Sequence, residues 1–342
     1  MRALQLAEKG EGHTRPNPPV GAVIVKDGKI IGEGWHKRAG GDHAEVAAIR
    51  DALRNLKTSK PQNLKTCTIY VTLEPCSKPG RVGACTDAII AAGIKKTVYL
   101  VPDPNPKNRG KAKRALAKHG VECVRVCRPV CDPKVWDSCG GMRSLLKWGT
   151  RMIAPFAKHV TTGLPFVTVK LAMSLDGKIC DNWGDAKWIS SARSRRSVGW
   201  ERARVDAIMV GAETVRKDNP SLLSHNKRND DLIRVVVTRS GKLPKNAQIF
   251  TDGAPNKTII FNTETQRHRD GIRGVIRELG KMGVMHVLCE GGLQLARSLA
   301  DAGLVDEWIT VLAPKVIGSR RIRKAVSIPK AFVMPDNGVA LR

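Results

Sequence analysis

No apolar stretch in the 342-residue chain approaches the length needed to span a bilayer. The opening residues, MRALQLAEKGEGHTRP, also lack the long apolar run and small-residue cleavage site of a secretory signal, so a cytoplasmic protein with no membrane partner is expected. A disulfide framework is missing as well. The nine cysteines are odd in number and unevenly spaced, and thiols kept reduced, some of them on metal, suit a cytosolic setting. There is no low-complexity tract and no internal repeat. Acidic residues are scarce: 31 Asp and Glu stand against 59 Lys and Arg, a net charge of +28. Such an excess fits nucleic-acid binding, a phosphorylated substrate with a phosphorylated cofactor, or a solvated basic surface. Because it is spread along the whole chain it singles out none of them; net charge speaks to association and not to fold.

What is present reads as two α/β domains, for which the length suffices. VGAVIVK (20–26), an Asp27-Gly28 turn and the returning KIIGEG form a hairpin. After His43, the apolar positions Val46, Ala47, Ile49, Ala52 and Leu53 recur at helical spacing. Strands at 67–73 and 97–101, a helix over 83–92, a Lys- and Ala-rich helix and the strand-like VECVRV complete a layered domain over 1–127. Residues 128–162, with prolines, Gly140-Gly141 and a short basic helix at 142–150, read as the connection. A second α/β pattern fills 163–342, running from PFVTVKLA through a basic helix (191–204), DAIMVG, DLIRVVVT, KTIIFN and MHVLCEGG to VDEWITVLAP.

The most informative residues are His43, Glu45, Cys76 and Cys85. One histidine and two cysteines suit zinc, and three protein ligands leave the fourth tetrahedral position to water, as in a catalytic site. His43 and Glu45 sit where a loop enters a helix, and Cys76 and Cys85 flank a loop leading into the next. A helix N-terminus favours the thiolate that a metal needs. Zinc would acidify the water, and Glu45 could carry protons from it to a ring and a leaving amine. H-x-E followed by P-C-x-x-C marks zinc deaminases of nitrogen heterocycles. Here eight residues, not two, separate Cys76 from Cys85.

The first domain carries RPNPPVGAVIVKDGKIIGEGWH (15–36), HAE (43–45), VTLEPCSKPGRVGAC (71–85) and DPNP (103–106). FVTVKLAMSLDGKI, GDAKWISS, GAETVRKDNPSL, CEGG and LAPKVIGS follow in the second. With these motifs, over nearly its whole length, the chain resembles the bifunctional diaminohydroxyphosphoribosylaminopyrimidine deaminase and 5-amino-6-(5-phosphoribosylamino)uracil reductase family of riboflavin biosynthesis, in which the long cysteine gap is usual. The resemblance implies an α/β fold, with an N-terminal cytidine-deaminase-like α/β/α layered domain and a C-terminal dihydrofolate-reductase-like domain. It implies zinc on His43, Cys76 and Cys85, Glu45 as proton shuttle, and Asn17, His36, Asp103 and Asn105 around a phosphorylated pyrimidine. It further implies NADPH on Lys170, Trp188, Thr214, Asp218, Gly291 and Gly292, and the substrate on Arg202, Leu222 and Glu290. The implied chemistry is hydrolytic deamination of 2,5-diamino-6-ribosylamino-4(3H)-pyrimidinone 5′-phosphate, then reduction of its ribosyl to a ribityl chain.

The chain departs from the family pattern at Lys78 and Pro79, at KNRGKA after DPNP, at Ala186 where serine is usual, and at His225 where arginine is expected. Three other readings stand beside this one: a zinc deaminase acting on tRNA or single-stranded DNA, a deaminase with a degenerate reductase half, and a non-catalytic zinc module. A nucleic-acid partner is not expected, and a homo-oligomer is left open. Cys123, Cys127, Cys131 and Cys139 lack a C-x-x-C knuckle, so no second zinc is expected there. Cys67, Cys180 and Cys289 read as buried small hydrophobes. Trp136, Trp148 and Trp308 read as packing residues, and residues 320–324 as solvated basic surface.

Overall fold

Asp27 and Gly28 take φ of 48° and 76°, the conformation a two-residue hairpin turn demands. They join β1 (Gly21–Lys26) to β2 (Lys29–Trp35) as expected. The computed structural model describes residues 1–57, 64–78, 83–126, 140–180, 189–224, 231–254, 257–264, 270–317 and 326–327. The chain divides into two units, Met1–Gly163 and Leu164–Arg342.

In the first unit β3 (Thr68–Leu73), β4 (Lys96–Val101) and β5 (Glu122–Arg125) complete a sheet of order β2-β1-β3-β4-β5, with β3, β4 and β5 mutually parallel. Helices α1 (Arg2–Glu8), α2 (Ala44–Asn55), α3 (Cys85–Ala91), α4 (Lys111–Ala117) and α5 (Gly140–Thr162) cover it. Adjacent strand residues point to opposite faces, and the glycines show which helix meets which. A Cβ on Gly21 would lie 2.0 Å from the Ala3 carbonyl in α1. On Gly34, the partner of the next residue Ala22, it would lie 2.4 Å from Ala44 O in α2. Ala44, Ala48, Ala52, Ile89 and Leu116 pack with Ala22, Ile24, Ile69 and Val71 in one core; Leu4, Ala7, Met152 and Ile153 pack with Leu73, Leu100 and Val101 in the other.

The helix expected at 142–150 is longer, and its second part fills the segment read as connection. It runs on through Gly149 and Pro155. Gly149 is a contact residue and not a stop: a Cβ there would sit 2.7 Å from Leu100 Cδ2. Trp148, half-buried against the same cluster, donates from Nε1 to Glu8 Oε1 at 3.2 Å, as suits a packing residue.

In the second unit β6 (Phe166–Ser174), β7 (Ala207–Gly211), β8 (Ile233–Thr238), β9 (Thr258–Asn262), β10 (His286–Cys289) and β11 (Glu307–Ala313) form a parallel sheet of order β11-β6-β10-β7-β8-β9. Its strands read as unbroken apolar runs because both faces are covered. Ala207, Met209, Val235, Val287 and Cys289 pack under α9 (Ile272–Lys281) and α10 (Leu293–Asp301). The alternate residues Ile208, Val210, Val236 and Leu288 pack with Val215 of α7 (Ala212–Asp218) and Ile249 of α8 (Gln248–Thr251). The basic helix is α6 (Ala192–Ala203), started by Ser191, whose Oγ accepts from Ser194 N. A two-stranded ladder of β12 (Lys315–Val316) and β13 (Val326–Ser327) follows β11.

Two readings of single residues change. Trp308, on the edge strand β11, is 40% exposed. Cys180, in the loop after β6, is partly exposed, while Cys67 and Cys289 are buried as expected. Cys127, Cys131, Cys139, Trp136 and residues 320–324 lie outside the described residues. Among the described residues no helix is long and apolar enough to cross a membrane. Among the described residues the buried charged side chains are Glu45, Glu74, Asp103 and Asp206 on the acidic side and Arg234 on the basic side.

Candidate zinc and reductase sites

His43 is the N-cap of α2 and Cys85 is the first residue of α3, so two helix starts face one another across the C-terminal end of β3. The close approach of α2 to β2 at Gly34 sets the position of His43. The Nδ1 atom of His43 lies 3.1 Å from Cys85 Sγ and 3.6 Å from Cys76 Sγ, and the Cys85 amide donates to Cys76 Sγ at 3.3 Å. The three potential ligand atoms fall within 4.8 Å of one another. One imidazole nitrogen and two sulfurs this close fit zinc and leave room for a water ligand.

The electrostatics agree. The hydrogen bond from the Cys85 thiol, aided by His43, overcomes burial and brings Cys76 down to about 4. The same bond, with burial, holds Cys85 well above the ordinary thiol range. Glu45, in the first turn of α2 and 3% exposed, is lifted to about 6 by burial first and the neighbouring Cys76 second. It is the acid–base group the site contains.

His36 packs edge-on to His43, with ring centroids 5.2 Å apart. Its Nδ1 lies 2.9 Å from the Asp42 carbonyl, which can only accept, so Nδ1 carries the proton and Nε2 is an acceptor. Burial lowers the pKa of His36 and keeps the ring neutral. Asn17 Nδ2, 3.0 Å from Nε2, is then the donor, and Asn17 Oδ1 is left to accept from a ligand. His36 is thus a buried prop for Asn17. The Asp42 carbonyl that sets this orientation was not legible in the sequence, since a main-chain acceptor has no residue signature. Asp103 is buried, its Oδ1 accepting from the Asn105 amide at 2.8 Å; burial raises its pKa.

In the second unit Arg202 and Glu290 form a two-pronged ion pair, Nε to Oε1 at 2.7 Å and Nη2 to Oε2 at 2.9 Å. Lys170 lies near both, its pKa lowered by burial against the pull of Glu290. Thr214 and Asp218 share a face of α7 at i, i+4 spacing. A Cβ on Gly292 would meet only Thr214 Oγ1, at 4.0 Å, so a side chain here would fill the space in front of α10. That space, beside a hydroxyl and the N-terminus of α10, suits a cofactor phosphate. Leu222 is different: at 2% exposure and φ of 57° it packs with Val205, Ile208 and Val215. Its loop is held by Arg234, 1% exposed, which bonds Ser221 O at 2.7 Å and Asp252 Oδ2 at 2.5 Å. An arginine inside the apolar run DLIRVVVT was the available signal for this anchor. Trp188, Ala186 and His225 lie outside the described residues.

Residues 1–101 match the cytidine and deoxycytidylate deaminase zinc-binding region, and residues 165–334 match the RibD C-terminal domain. Riboflavin biosynthesis protein RibD of Escherichia coli is 36% identical over 93% of this chain and 87% of its own length. The chain belongs to the RibD family. RibD of Aquifex aeolicus is 34% identical, covering 92% of this chain and 86% of its own. The solved RibD of Acinetobacter baumannii superposes with a TM-score of 0.77 at 33% identity, covering 93% of this chain and 86% of that one. A solved diaminohydroxyphosphoribosylaminopyrimidine deaminase/5-amino-6-(5-phosphoribosylamino)uracil reductase of Thermotoga maritima has the same TM-score and coverage at 35% identity. The chain is therefore a bifunctional deaminase and reductase of riboflavin biosynthesis, and zinc and NADPH are the cofactors of its two halves.

Proposed function

We propose that the first unit hydrolyses the 2-amino group of 2,5-diamino-6-ribosylamino-4(3H)-pyrimidinone 5′-phosphate. The second unit reduces the ribosyl group of the product to ribityl. The observation that carries this reading is the convergence of His43, Cys76 and Cys85 within 4.8 Å beside a buried carboxyl lifted to about 6. Zinc, held by those three side chains, supplies a Lewis acid that lowers the pKa of a water ligand. Glu45 takes a proton from the attacking water and gives it to the ring nitrogen, then takes the proton of the newly added hydroxyl and gives it to the amine that leaves as ammonia. A carboxyl near 6 can both accept and release at neutral pH. Asn17, oriented by His36, accepts a hydrogen bond from the pyrimidine, and Asp103 and Asn105 line the substrate loop.

In the second unit NADPH supplies the hydride that opens the ribose at C1′. Lys170, Trp188, Thr214, Asp218 and the Gly291-Gly292 turn hold it, and Arg202, Glu290 and the main chain at Leu222 face the substrate. The free thiols among the described residues support a reducing, cytoplasmic setting. Purified protein given the diaminopyrimidine ribotide should release ammonia, and added NADPH should then be consumed. Ammonia without NADPH consumption would reduce the assignment to the deaminase alone; no ammonia would sink it.

A further inference from the structure

Glu74 stands one residue past β3 and two before Cys76, and no role has yet fallen to it. It is 3% exposed. Its Oε2 accepts from the amides of Asp103, at 3.2 Å, and Gly110, at 3.1 Å; its Oε1 accepts from Ala112 N at 3.3 Å. All three donors belong to the segment that leaves β4 and starts α4. Gly110, the N-cap of α4, has no side chain to offer the helix's first amides, and its φ is 74°. The carboxylate of a neighbouring strand caps that helix instead. Between its clasped ends the segment closes on itself: Asp103 Oδ1 takes the Asn105 amide, Asn105 Oδ1 takes Lys107 N at 3.0 Å, and Asn105 O takes the amides of Asn108 and Arg109 at 2.9 Å. Asp103 and Asn105, the residues placed around the substrate, sit on this stretch.

We infer that Glu74 is a positioning residue for deamination: its carboxylate ties the strand end that carries Cys76 to the loop that carries Asp103 and Asn105, and so fixes the substrate loop relative to the metal ligands. Both ends lie at the C-terminal edge of the parallel strands β3 and β4, where open α/β sheets place their ligands. A carboxylate suits the task because all three facing groups donate. An amide in its place turns one acceptor into a donor facing an N–H, and a buried donor without a partner is costly. A carboxylate that served only as a helix cap would support α4 without bearing on how tightly substrate is held.

The inference rests on the deaminase reading, and the test separates the two. Zinc-loaded full-length Glu74→Gln should show KM for the diaminopyrimidine ribotide raised by about tenfold or more. Its kcat should stay within about threefold and its zinc content should equal that of the unaltered chain. Amide hydrogen exchange at Asp103, Gly110 and Ala112 should quicken. In an Asn105→Ala background the same change should raise KM little further, because both act through one loop. Gly110→Ala, which strains the donor from the loop side and leaves β3 untouched, should raise KM in the same direction and covers the case in which Glu74→Gln fails to fold. Loss of zinc with KM unchanged, or full additivity with Asn105→Ala, would overturn the inference. An unaltered chain that released no ammonia would remove the deaminase reading and the inference with it.

Discussion

The two units hold their chemistry differently. In the first, the atoms that matter come from two helix starts and one strand end and meet within a few ångströms, each fixed by a short bond to the next. In the second, the residues proposed to meet ligand are dispersed: Lys170 within β6, Arg202 and Thr214 on α6 and α7, and Glu290 and Gly292 in the turn between β10 and α10. A metal site is a contact among side chains, so its identity is written in residue types and their spacing. A dinucleotide site is built largely from main chain and open space, so residue types record it weakly.

The sharpest way to break this contrast is to disable one half alone. Glu45→Gln should lower ammonia release by about a hundred- to ten-thousandfold, while NADPH consumption on supplied deaminated product stays unchanged. An equal loss in both assays would show that the units do not work separately. Zinc removal by a chelator should act on the same half, and zinc should restore it. Because Cys85 is held protonated beside Cys76, zinc uptake should release protons and weaken as pH falls; titration in buffers of different ionisation enthalpy reads both.

The reverse experiment targets the second unit. Arg234→Met takes the ion-pair partner from the half-buried Asp252 and the anchor from Ser221 O, a change that should cost up to about 3–5 kcal/mol. Reductase activity and the melting of that unit should fall while bound zinc stays constant. Smallest is Gly149→Ala, which pushes a methyl into Leu100 and should destabilise the first unit by about 1–3 kcal/mol, read as a lower denaturation midpoint. A stable Gly149→Ala protein would mean that α5 can lift off β4 at little cost.

Much of the first unit could be read in advance because its signals are local. Asp27-Gly28 dictates the hairpin, and the apolar positions after His43 dictate α2. Features set by packing escaped. Helices α1 and α7, of seven residues each, were not read from the sequence. Gly149 and Pro155 look like stops, yet α5 passes through both, with Gly149 lying close against the Leu100 side chain of β4. Trp308, read as a packing residue, stands half-exposed on an edge strand. Leu222 was expected against substrate and lies in an apolar core because an unusual backbone conformation, invisible in a string of letters, turns it inward.

The partition of charge in the described interior, four acids against the lone Arg234, carries a consequence for behaviour in solution. Nearly all of the described lysines and arginines then stand where salt screens them over about 8–10 Å. Ionic strengths that strip the protein from any polyanion will leave the buried Cys85 and Glu45 with the same neighbours. Stickiness and turnover are thus separately adjustable in this chain.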